Sequence, residues 1–294
     1  MNPLPRLPIR TAVRTALQED AAWGDVTTAA LLIFPTQSRA TIVARQSMTL
    51  AGIAVAREVL AEVDPDIRIV NALDDGLTAK AGTIVLTAEG DGRSLLIAER
   101  VALNFLQRLS GIATLTARFC ATVRGYRTRI LDTRKTTPGL RSLEKWAVRL
   151  GGGLNHRQSL GDGILIKDNH LALLKGQRIS LAQACRLARD RGPHGLRVMV
   201  EAQSLNQVDE ALQGEADVIL LDNMTPAQIR QAVARIKGRA LVEVSGGITL
   251  ERARDMAAAG ADYLSIGALT HSAPAVDLSM DIMPLKRRPI RTRA

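Results

Sequence analysis

The sequence predicts an α/β fold, a region of parallel β/α units that fits an incomplete parallel β/α barrel or a doubly wound open sheet, preceded by a smaller α+β sandwich domain. Two observations point that way. Up to about residue 115, short alternating strands mix with helical repeats; beyond it, an apolar strand and an amphipathic helix follow one another repeatedly. Each of the later strands also ends in a polar residue or a glycine, and strand carboxyl ends are where parallel β/α folds build their sites.

In the first region the apolar spacing predicts a helix over Arg10–Gln18 and strands over Ala40–Arg45, Ile67–Asn71 and Thr83–Thr87. A helical repeat then runs from Ser94 to Leu109, and the mixture reads as an α+β sandwich. The second region predicts strands at Arg129–Leu131, Gly163–Ile166, Arg197–Val200, Asp217–Leu221, Ala240–Val244 and Tyr263–Ile266. The irregular Gly152–His156 is a candidate seventh. A doubly wound open sheet fits the same alternation, so periodicity leaves barrel and open sheet both standing.

Length and charge narrow the classes. A chain of 294 residues, 46% of them hydrophobic, suits one large and one small domain, each with a core. A net charge of +10 would serve nucleic acid, an anionic membrane surface or acidic small molecules. Aromatic residues make up only 2%, too few for base-stacking platforms. Lys286, Arg287, Arg288, Arg291 and Arg293 crowd the last nine positions without an acid, which reads as a solvated tail. Cys120 and Cys185 stand alone, without metal-ligand spacing, and read as small core residues. Neither an apolar leader core after Met1 nor a membrane-length apolar run is present, so a cytoplasmic enzyme is expected.

The chemistry gathers in Leu131–Lys167, where Arg134, Lys135, Arg141, Lys145, Arg149, Arg157 and Lys167 surround the glycine run Gly151–Gly152–Gly153. That is a composition for a small polyanion. At the strand ends stand Asp132, Arg134 and Lys135, then Lys167 and Asp168, then Glu201, Asp222, Ser245 and Gly267. Any one alone could simply mark a strand exit; a series of them implies a shared site. A lone arginine at a strand end usually makes a structural ion pair. Arg134, Lys135, Arg157 and Lys167 against two carboxylates leave positive charge over, which suits a dicarboxylate ligand. Glu201 and Asp222 could cap helices or pair with lysines; beside a polyanion they could also bind Mg²⁺ shared with phosphates, or ribose hydroxyls. Ser245–Gly246–Gly247 and Ser265–Ile266–Gly267 each precede a helical stretch and make either tight turns or a phosphate cradle. His156 beside Arg157 reads as a substrate-carboxylate contact and His170 as structural. Nucleophile elbows, HExxH and nucleotide-binding glycine loops are all missing from the sequence, which favours chemistry by orientation and electrostatics.

Eight blocks in order, EDAAWGDVTT (from Glu19), ERVALNFLQRLSGIAT (from Glu99), TRKTTPGLR, GGGLNHR, LIKDNH, VILLDNM, VEVSGGI and SIGALTHSAPAVD, make the chain resemble the quinolinate phosphoribosyltransferase family across nearly its whole length. The resemblance implies the barrel, with domains at residues 1–115 and 116–274 and the terminal segment 275–294 rejoining the first. It implies phosphoribosyl transfer from phosphoribosyl pyrophosphate to quinolinate with decarboxylation, a step of NAD synthesis, using Mg²⁺ and no organic cofactor. Quinolinate would be held by Arg100, Thr133, Arg134, His156, Arg157 and Lys167. Phosphoribosyl pyrophosphate would be held by Lys135, Glu201, Asp222, Ser245, Gly246, Gly247, Ser265 and Gly267. Lys135, Glu201 and Asp222 would be the catalytic set, the last two as direct or water-mediated Mg²⁺ ligands. Arg100 would reach into a partner's pocket, in a homodimer with shared sites or a higher oligomer built on it; no nucleic acid or membrane partner is implied. A molybdenum-transport-associated paralogue shares the RKTTPG and GGG-HR blocks but tends to lack LIKDNH. A basic nucleic-acid module would need a continuous cationic face, whereas the cations here interleave with glycines and carboxylates.

Overall fold

The computed structural model describes residues 4–285, so the basic tail lies outside the described residues. The chain divides into two compact units. One contains residues 4–114, 142–151 and 273–285 among those described; the other contains residues 115–141 and 152–272.

The first unit opens with α1 (Arg6–Ala21) and α2 (Val26–Leu31), the latter capped by Asp25, whose carboxylate accepts from the Thr28 amide at 2.9 Å. Then come β1 (Gln37–Ala44), β2 (Met48–Thr49), α3 (Ile53–Val63), β3 (Arg68–Ala72), β4 (Thr78–Ala79) and β5 (Ile84–Asp91). Strand β1 buries Ser38, Ala40, Ile42 and Ala44 and turns the intervening residues outward, the period-two pattern of a strand with one covered face. The last strand, β12 (Leu278–Pro284), pairs antiparallel with β1, giving a four-stranded sheet in the order β12-β1-β5-β3. Strands β2 and β4 form a separate pair.

Two helices depart from the predicted organisation. Helix α4 spans Gly92–Thr122, well past the predicted end at Leu109 and through the expected boundary near 115, because no glycine–proline signal interrupts its apolar repeat. Within the first unit, the Ser110 hydroxyl donates to the Ala51 carbonyl at 3.0 Å and accepts from the Ala51 amide at 2.9 Å. Helix α5 (Arg141–Leu150) interrupts the barrel sequence, yet Ser142–Gly151 belongs to the first unit. Its buried Glu144 accepts from Arg108 Nη2 at 2.9 Å, and the Trp146 side chain bonds to Asp75. Asp75 in turn accepts from the Ile53 amide at 2.9 Å at the start of α3. The predicted partition at 115 is therefore too simple: a helix drawn from the middle of the cation-rich stretch takes Lys145 and Arg149 into the other unit.

The second unit is built from β6 (Arg129–Leu131), β7 (Ile164–Ile166), α6 (Asp168–Gly176), α7 (Leu181–Arg191), β8 (Val198–Ala202), α8 (Leu205–Gln213), β9 (Val218–Asp222), α9 (Pro226–Ile236), β10 (Leu241–Ser245), α10 (Leu250–Ala258), β11 (Tyr263–Ser265) and α11 (Ala268–His271). All strands are parallel, in the order β6-β11-β10-β9-β8-β7. The candidate seventh strand is a single parallel bridge, Leu154 to Leu131, held by the Leu154 amide on the Ile130 carbonyl at 2.8 Å. Local sequence sets the helix starts: Ser180 with Gln183 and Thr225 with Gln228 form capping boxes, and Pro226 occupies the first turn of α9. Cys185 is buried, and burial pushes its thiol up to about 11. Among the described residues no helix is long and apolar enough to cross a membrane.

Gly111 in α4 lies against the chain just before β12: a Cβ there would sit 2.1 Å from the Pro274 carbonyl oxygen. Gly111→Ala should therefore destabilise the protein by roughly 1–3 kcal/mol through overpacking against backbone. The drop would appear as a lower urea midpoint, and an unchanged midpoint would show that the contact yields freely.

Candidate active site

Parallel register sets the foundation of the site. Asp222 on β9, Ser245 on β10, Ser265 on β11 and Leu131 on β6 stand side by side in one row at the carboxyl ends. Two residues earlier on the same faces, Leu220 pairs with Glu243, and Leu220 pairs also with Glu201 of β8. These ends and the loops after them line a cleft of about 760 Å³. Every barrel residue expected to bind substrate lines it: Thr133, Arg134, Lys135, His156, Arg157, Lys167, Glu201, Asp222, Ser245, Gly246, Gly247, Ser265 and Gly267.

One half of the cleft is cationic. Arg134 and Arg157 each hold a buried Nε with no hydrogen-bond partner, although Arg157 Nη1 donates to the Gly163 carbonyl at 3.1 Å. Burial, and next the charge of Arg134, lower the Arg157 pKa from its ordinary value. Two arginines crowd together with unused donors, and an anion is the partner that would satisfy both. The loop after β6 is braced at Lys135, whose amide donates to Thr133 Oγ1 at 3.0 Å and whose carbonyl accepts from Thr270 at 2.7 Å. Buried Asp132 accepts from the His156 amide at 2.7 Å and from Asn155 at 2.6 Å, which anchors the GGGLNHR loop.

Not every cation of Leu131–Lys167 belongs here. Arg141 ties Thr136 to the Gln158 carbonyl, at 3.0 and 3.2 Å, and Lys145 is buried on α5. His170 accepts from the Lys167 amide at 3.0 Å at the start of α6, the structural role expected of it. Arg100 lies exposed on α4 in the first unit and does not line this cleft.

The other half carries carboxylates and glycines. Burial, followed by the charge of Asp222, raises the Glu201 pKa above its ordinary value, with Lys167 and Lys135 opposing. Two carboxylates facing one cleft suit a dication that takes its remaining ligands from substrate oxygens or water. Among the described residues no cluster of three or more metal-ligating side chains occurs, so Glu201 and Asp222 would supply only part of a coordination shell. At Gly246, with φ +94°, a Cβ would lie 2.2 Å from Asn223 Oδ1, and at Gly267 it would lie 3.0 Å from Lys135 Cδ. Gly246 therefore needs glycine for a left-handed turn against Asn223, whereas at Gly267 a side chain would have to displace Lys135 and His271 by a few tenths of an ångström.

Three polar residues of the cleft escape the sequence reading: Asn223, His271 and Glu243. Asn223 donates to Asp222 at 2.7 Å, and His271 follows Gly267 by one helical turn. Glu243 carries the clearest signal. An acid inside the otherwise apolar strand LVEVS violates the continuous hydrophobic pattern of a doubly covered parallel strand. It is 2% exposed.

Residues 25–110 match the model of the quinolinate phosphoribosyl transferase N-terminal domain and residues 112–281 that of its C-terminal domain. The chain belongs to this family. It is 44% identical over 279 residues to the carboxylating nicotinate-nucleotide pyrophosphorylase of Mycobacterium leprae, covering 93% of this chain and 96% of that one. The probable enzyme of that name from Bacillus subtilis is 42% identical over 90% of each chain. Among solved structures, NadC from Streptococcus pyogenes superposes with a TM-score of 0.92 at 40% identity, over 97% of this chain and 100% of that chain. The nicotinate-nucleotide pyrophosphorylase of Francisella tularensis gives 0.90 at 36%, over 96% and 98%. Family membership supports the α/β barrel with its separate antiparallel-sheet domain.

The raised Glu201 carboxyl has a cost in stability. This family member holds that proton more tightly folded than unfolded, so ionisation destabilises the fold once pH rises past the folded-state value, and the penalty disappears below the unfolded value. Glu201→Gln should therefore melt above the wild type at about pH 7.5 and level with it near pH 4, by scanning calorimetry. Equal melting at the higher pH would remove this electrostatic account.

Proposed function

We propose that the chain transfers phosphoribosyl from phosphoribosyl pyrophosphate to quinolinate with loss of CO₂, giving nicotinate mononucleotide and pyrophosphate, as its relatives' names state for them. The observation that carries the reading is the pair of half-buried arginines, Arg134 and Arg157, whose buried Nε atoms lack partners, in one cleft with Glu201 and Asp222. Such a cleft takes a dicarboxylate at one end and a hydroxylated phosphate ester at the other.

Arg134, Arg157 and Lys167 bind the two carboxylates of quinolinate and aim its ring nitrogen. Backbone N–H groups around Ser245–Gly247 and Ser265–Gly267 receive the 5-phosphate. Glu201 and Asp222 hold the ribose hydroxyls and would hold Mg²⁺, directly or through water, which would offset charge on the pyrophosphate. The ring nitrogen's lone pair forms the bond to ribose C1 while the C1–O bond breaks and its electrons leave with pyrophosphate, whose charge Lys135 balances. The alkylated nitrogen is then positive. It accepts the electrons released as the adjacent C–CO₂ bond breaks, and a solvent proton completes the ring carbon. Orientation and electrostatics suffice for both steps. We place the reaction in the cytoplasm.

Quinolinate should be consumed and nicotinic acid turned over at least about a hundredfold less well, since one missing carboxylate leaves buried cations unpaired. Incubation with phosphoribosyl pyrophosphate, Mg²⁺ and either acid, followed by chromatography for nicotinate mononucleotide, tests this; comparable use of nicotinic acid would defeat the dicarboxylate assignment.

We also propose a homodimer in which Arg100 serves the partner's site. Supporting it, the first unit leaves Leu7, Trp23, Val26, Leu31, Ile33 and Phe34 each more than 70% exposed, apolar surface of the kind a second copy covers. Co-refolding inactive Arg100→Ala with inactive Lys135→Ala should restore roughly a quarter of wild-type activity, because each mixed dimer regains one intact site. No recovery, with subunit exchange demonstrated by mass, would confine Arg100 to its own chain's site or none.

A further inference from the structure

Glu243 is a buried acid for which the reaction above has no use. Its Oε1 accepts from the Ser265 hydroxyl and lies 3.2 Å from His156 Nε2. The other ring nitrogen, His156 Nδ1, lies 2.6 Å from the Arg157 backbone nitrogen, whose N–H it accepts. A nitrogen that accepts an N–H bond carries no proton, so the ring's proton sits on Nε2 and points at Glu243. Both nitrogens are thereby engaged within the protein, which leaves His156 no ring donor to spare for a substrate carboxylate. Glu243, His156 and Arg157 line both the cleft and a smaller cavity of about 270 Å³.

We propose that Glu243 is a positioning residue for the carboxylate-binding end of the cleft. It fixes His156 as the Nε2–H tautomer, the unprotonated Nδ1 then accepts from the Arg157 amide, and the guanidinium of Arg157 is held where a substrate carboxylate meets it. Ser265 supplies the second donor that keeps the Glu243 carboxylate facing the ring. Asp132 braces the same loop from the opposite side through the His156 amide. The inference rests on the dicarboxylate reading of this cleft and extends it by one layer of residues.

The test combines kinetics and histidine NMR. Removing the acceptor in Glu243→Ala should raise KM for quinolinate about tenfold or more while KM for phosphoribosyl pyrophosphate stays within about threefold. Glu243→Gln keeps an oxygen acceptor in the same place and should restore quinolinate KM to within about threefold of wild type. In ¹⁵N spectra of the wild type, with His156 assigned by the loss of its signal in His156→Asn, Nε2 should be protonated and Nδ1 not. Glu243→Ala should mix the tautomers, and Glu243→Gln should not. An unchanged quinolinate KM in Glu243→Ala overturns the proposal. So does an equal rise in both Michaelis constants that Gln fails to rescue, or a wild-type ring protonated at Nδ1. Should Glu243→Ala fail to fold, Glu243→Leu of similar volume takes its place; should both fail, the wild-type tautomer alone decides. Wild-type protein that does not turn over quinolinate would defeat the functional reading instead, while the tautomer would still be measured.

Discussion

Parallel pairing is the constraint on which the site depends. Because β9, β10, β11 and β6 run in register, Asp222, Ser245 and Ser265 reach the same level as Leu131, after which the chain turns into Asp132–Lys135. Residues separated by more than a hundred positions become neighbours through backbone hydrogen bonds alone. No side-chain attraction could assemble so many like charges; the sheet imposes their closeness and a ligand relieves it.

That imposed closeness appears as opposite strains in the two halves of the cleft. Arg157 is pressed by burial and by Arg134 away from its charged form, and Glu201 is pressed likewise by burial and by Asp222. Each half is poised for a partner of opposite sign, and the substrates proposed here carry carboxylates for one and a metal-associated phosphate for the other. The arrangement lowers stability in the empty protein and raises the gain on binding, a trade common where function requires charge in a dry place. Asp132 and Glu243 show a second use of buried acids: Asp132 accepts from the amide of His156 in the loop that carries Arg157, and Glu243 stands 3.2 Å from the His156 ring.

The barrel's seam is where regular structure gives way to this purpose. Between β6 and β7 the seventh strand is reduced to the Leu154 bridge, and the following Asn155 and His156 are tied to Asp132 instead of to a neighbouring strand. A regular strand would alternate its side chains between two faces. The irregular segment lets His156 and Arg157, adjacent in sequence, both line the cleft.

Much of this was legible from sequence, for identifiable reasons. Strand–helix alternation follows from apolar periodicity, a local property, and the polar residues closing the strands mark the active face because parallel strands share a direction. Arg134, Lys135, Lys167, Glu201, Asp222, Ser245 and Gly267 stand out on those grounds, and the family resemblance supplies the rest of the cleft residues from Thr133 to Gly267. The charge pattern already set Arg134, Lys135, Arg157 and Lys167 at the ligand; tertiary structure alone decided what the other cations do, sending Lys145 and Arg149 into the other unit on α5 and tying Arg141 to Thr136 and the Gln158 carbonyl. It also decided that His156 answers to Glu243. Charge and spacing are properties of the chain, but a partner is a property of the space around a side chain, and that space exists only once distant strands have paired.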